Sequence, residues 1–157
     1  AQRLRDDARL RDALFQAAAD DDAVLRYHAA YALGVLGGDD ALRRLAVLAG
    51  DANIDVRMNA AVGLARHGDP ACVAELARML DPAETEGMLA EREPAAREAK
   101  RAVIYRNALE GAKQFAQASP QADVAPLTAA VDRLLASNPP PGLRLEAEAV
   151  RRALAHR

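Results

Sequence analysis

Residues 51–70 read DANIDVRMNAAVGLARHGDP, and the fold is decided here. Val56, Ala60 and Leu64 recur every four residues, which puts them on one side of a helix. Asn53 stands where its side chain can accept amide hydrogens of the first turn. Gly68 stops the helix, since glycine takes the left-handed C-terminal conformation without strain. Pro70 suits the first turn of a second helix, because its missing N–H is not needed there. That helix carries Val73, Leu76 and Leu80. Two amphipathic helices joined by so short a turn must fold back on each other to cover their stripes, so the stretch predicts an antiparallel helical hairpin.

The same pattern occurs 31 residues upstream. Asp20 aligns with Asp51, Arg26 with Arg57, Ala29-Ala30 with Ala60-Ala61, Leu33 with Leu64, Gly37 with Gly68 and Leu45-Ala46 with Leu76-Ala77. In this first unit Asp22 is the expected N-cap, and Leu25, Ala29, Ala32, Leu33 and Leu36 the expected inward stripe. Asp39 or Asp40 is expected to cap a second helix bearing Leu42, Leu45, Ala46 and Leu48. A repeat of this length is the signature of a stacked array.

The pattern of Asp51, Val56-Arg57, Ala60-Ala61, Leu64 and Gly68-Asp69-Pro70 resembles the HEAT repeat in its short phycobilisome-lyase type. The resemblance covers residues 20–50 and 51–81 and implies an all-α fold. It would be a HEAT/armadillo-like α-solenoid, a right-handed superhelix of stacked antiparallel hairpins. It further implies a ladder of Asp–Arg contacts between neighbouring repeats, in which Asp20, Asp22 and Asp51 would partner Arg26 and Arg57. Arg57→Ala is then expected to cost more stability than a change at an exposed arginine such as Arg78. In arrays of this kind the second helices line the concave side and form a docking surface. The off-stripe residues there are Arg43, Arg44 and Val47, then Glu75 and Arg78, with Asp132 and Arg133 as a later contribution.

The remaining sequence fits one domain over residues 1–157 with weaker repetition. Residues 2–18 form a terminal half-repeat with Leu4, Leu10, Leu14 and Phe15. Residues 83–92 form a looser insertion. Residues 94–138 read as a degenerate hairpin, with a long helix from Pro94 to about Ala118 and a second from about Asp123 to Ser137. After Pro139-Pro140-Pro141-Gly142 a last half-repeat runs over 142–157, giving about eight helices. The two half-repeats make an excised piece of a longer array as plausible as a self-standing chain.

Composition limits function. Hydrophobic residues make up 51% while aromatics are only 3%, so Ala, Leu and Val must pack the core, as closely spaced helices allow. A net charge of −2 argues against a grip on nucleic acid built from bulk positive charge. The single Cys72 lies on an apolar helix side and reads as a packed thiol. His28, His67 and His156 lack the His-Glu pairs by which related hydroxylases hold iron, so no metal, cofactor or catalytic residue is expected. The acidic runs Asp20–Asp22 and Asp39-Asp40 fall at helix starts, where carboxylates meet the positive end of the macrodipole. Basic residues on the long helix, Arg97, Lys100, Arg101, Arg106 and Lys113, form a second candidate surface, interrupted by Glu93, Glu98 and Glu110. The leading expectation is a non-enzymatic scaffold that binds a protein or peptide. A nucleic-acid-binding HEAT-like domain and a phycobilin lyase-related, chromophore-handling protein are the alternatives. No apolar run approaches a membrane span. The compartment stays open, with the cytoplasm favoured over export.

Overall fold

The computed structural model describes residues 8–84, 86–88 and 91–156. Among these residues there are eight α-helices and no strand. They are α1 (Ala8–Ala17), α2 (Ala23–Leu36), α3 (Asp39–Leu48), α4 (Ile54–Arg66), α5 (Val73–Met79), α6 (Pro94–Ala118), α7 (Ala125–Ala136) and α8 (Pro141–Ala155). Short 3-10 turns at Pro70–Cys72 and Glu86–Met88 lead into α5 and towards α6.

The helices form two rows. The first helices of successive hairpins stack directly, α2 on α4, α4 on α6 and α6 on α8. The second helices lie along the other side: α1 against α2, α3 against α2 and α4, α5 against α4 and α6, and α7 against α5 and α8. This is an α-solenoid. One apolar core runs through it from Ala18 to Leu154, with Leu33, Leu45, Leu64, Leu76, Phe115, Leu127 and Leu134 fully enclosed. Each such side chain contributes about 1.5–3 kcal/mol by leaving water. No charged residue is buried among those described, so the charged groups lie on the rim of the rows.

Small residues set the spacing of the first row. A Cβ built on Gly34 of α2 would stand 2.7 Å from the Cα of Gly63 in α4. The two backbones touch there, and Ala29, Ala30, Ala60 and Ala61 around the crossing are all buried. Helix starts follow local chemistry. The Asp22 carboxylate accepts from the Val24 N–H, Asn53 from Asp55 and Val56, and Asp69 from Ala71. Gly37, Gly38 and Gly68 all have positive φ at the turns inside the first two hairpins.

Several expectations need correction. Leu25 is 45% exposed and Ala32 is only half-buried, so neither belongs to the inward stripe of α2. They stand on the side of α2 opposite Gly34, where no other first helix is stacked among the described residues. Ala46 is exposed on α3. Asp39 and Asp40 do not cap α3; the helix already includes both, and Gly38 at the N-cap offers no side chain. Residues 94–138 do not make a hairpin like the first two. The backbones of α6 and α7 approach less closely, and α7 packs instead on α5 and α8. Of the N-terminal half-repeat, Leu4 and the rest of residues 1–7 lie outside the described residues, and α1 buries no residue completely.

Candidate functional site

Each of the four first helices carries an arginine as its fourth residue: Arg26, Arg57, Arg97 and Arg144. A cation in the first turn opposes the helix dipole, so something must hold it there. The holder is the chain five and six residues earlier. Arg26 Nη1 donates to the carbonyls of Asp20 and Asp21, both at 2.9 Å. Arg57 Nη1 donates to Asp51 at 2.8 Å and Ala52 at 3.1 Å. Arg97 reaches the carbonyls of Glu91 and Arg92, and Arg144 the side-chain oxygen of Asn138. Each arginine clamps the loop that leads into its own helix. Only the first two stood out in the sequence. The others sit at longer spacings, and their local signal is the shared Pro-x-x-Arg of Pro94–Arg97 and Pro141–Arg144.

The first two arginines also cross to the next unit. Arg26 Nε and Nη2 donate to the two carboxylate oxygens of Asp51, at 2.7 and 2.9 Å. The side chains are only 18% and 10% exposed. Such a two-pronged, partly desolvated pair is stronger than a surface ion pair. The hydrogen bond to Asp51 raises the Arg26 pKa, and the same bond holds the Asp51 carboxyl below its usual value. Asp51 also accepts from the Asn53 N–H, so one side chain shapes the loop and joins two hairpins. Arg57 reaches forward in the same way, but its acceptor is Glu86, both oxygens at 3.0 Å. That bond lowers the Glu86 pKa. Glu86 lies in the segment read as a loose insertion, and its place about one unit beyond Asp51 was the available signal. The carboxylates of Asp20 and Asp22 do not join the ladder. They accept from the Asp22 and Val24 N–H groups and shape the start of α2.

The residues expected on the second-helix row separate into two groups. Arg43 and Val47 of α3 are well exposed, one helical turn apart, and Arg43 pairs with Asp40. Asp132 and Arg133 of α7 are exposed too, with Asp132 paired to Arg151 of α8. The other three are committed within the fold. Arg44 is half-buried and donates to the Ala18 carbonyl, tying α3 to the end of α1. Glu75 is 11% exposed, between Arg57 and Arg78. Arg78 meets Glu75, Glu84 and Glu86 at 3.1–3.8 Å, so it is not the freely exposed arginine it was taken for. It shares Glu75 and Glu86 with Arg57 and cannot serve as a neutral comparison for it.

On α6, Lys100 pairs with Asp55 and Glu91, Arg106 with Glu146, and Lys113 with Glu110. Those basic residues thus form mixed ion pairs rather than a cationic stripe. The Cys72 thiol is buried, which pushes its pKa up to about 12 and leaves it protonated at neutral pH. His67 Nε2 lies 2.9 Å from the Gly34 carbonyl and joins the ends of α4 and α2. Among the described residues no three of His, Cys, Asp and Glu stand close enough to hold a metal ion. No described helix is long and apolar enough to cross a membrane.

The family of HEAT repeats matches residues 10–92, just over half of the chain. The chain belongs to the HEAT-repeat family. The match takes in α1 and runs past Glu86, so this HEAT array includes both the leading half-hairpin and the loop that answers Arg57. No curated protein and no solved structure matches the chain. HEAT repeats are generally protein-interaction scaffolds.

Proposed function

We propose that the chain is a non-catalytic scaffold that docks a protein or peptide on its row of second helices. The observation that supports this most is the pairing of exposed Val47 with exposed Arg43 on α3. Arg44, Glu75 and Arg78, the other residues expected on that surface of α3 and α5, are engaged within the fold. An apolar side chain beside an arginine is the composition from which interface hot spots are made. Arg133 and Asp132 on α7 would extend the same surface. Arg44, Glu75 and Arg78 are left out of it, because their substitution would disturb α1 and the Arg57 network.

The test is affinity capture from the source organism with the wild-type chain and with Arg43→Glu/Val47→Glu/Arg133→Glu. All three positions are exposed, so the melting temperature should stay within about 2 °C. Proteins captured by the wild type and lost with the triple variant carry the reading. An identical captured set from both proteins would remove it.

A further inference from the structure

We draw no further inference here: the strongest candidate, the apolar groove between α6 and α8 floored by Leu109, Ala149 and Val150, carries nothing, because the charges on its rim already pair as Arg106 with Glu146 and Lys113 with Glu110 and nothing in the structure shows what covers it.

Discussion

The first two hairpins and the helices after residue 94 are held together differently. Between α2 and α4 the backbones meet at Gly34 and Gly63, and Arg26 crosses to Asp51. On α6 the large side chains Phe115, Leu109 and Ile104 are buried beside Ala108, Gly111, Ala112 and Ala116, and Gly111 meets the Leu76 side chain rather than another backbone. Arg97 and Arg144 clamp their own loops there, and the ion pair between α6 and α8, Arg106 with Glu146, is exposed. Where backbones touch, few residue types fit and the pattern repeats in the sequence. Where side chains fill a gap, many combinations of equal volume serve and the repeat fades.

The largest expected effect tests the second region. Phe115→Ala removes the bulkiest fully enclosed side chain and should cost about 3–5 kcal/mol in urea unfolding. A loss below about 1 kcal/mol would mean that α6 is not held by large side chains, and the contrast would fail.

Gly34→Ala tests the first region. The added methyl would meet the backbone of Gly63 rather than a side chain that can move aside. The expected loss is about 1–3 kcal/mol, although alanine is the better helix former. A stabilised variant in the same unfolding measurement would show that the crossing has room to spare.

Asp51→Asn gives the smallest effect and sharpens the comparison by pH. Asparagine can still accept from the Asn53 N–H, so the change removes mainly the ion pair with Arg26. The Asp51 pKa is lowered in the fold from an ordinary value of 3.8. The ion pair's stabilisation is thus fully present above that value and is lost as the pH falls through the lower folded-state pKa. Thermal melts should show the variant roughly 2–4 °C below wild type at pH 6, with the gap closing towards pH 2–3. A gap that persists in acid would assign the effect to the loop rather than to the charge.

The fold was legible because the stripes of α4, α5, α7 and α8 follow helical spacing, and Asn53, Pro70 and Pro141 each have one clear reason to stand at a helix start. The order and ends of α6 and α8 could be read from Pro94, Ser119-Pro120 and the three prolines before Gly142. Leu25 and Ala32 misled for the same reason that the rest succeeded. Periodicity shows which residues share a side of a helix, but not whether a neighbour stands against that side. Gly34 and Gly63 passed without notice, although a glycine inside a helix costs about 1 kcal/mol against alanine and asks for a packing reason. Arg44 and Arg78 show why surface residues read poorly: a long flexible cation can end at a carbonyl or carboxylate that is distant in sequence.

The four arginine clamps have a consequence for how such an array tolerates change. The distance from one clamp to the next is 31, then 40, then 47 residues, yet each arginine grips the chain the same short way behind it. The angle at which a helix sets out is fixed by its own half-dozen preceding residues, whatever length of peptide came before them. The longer spacing before Arg97, which takes in Glu86 and its bond to Arg57, therefore sits upstream of a clamp that still grips only Glu91 and Arg92.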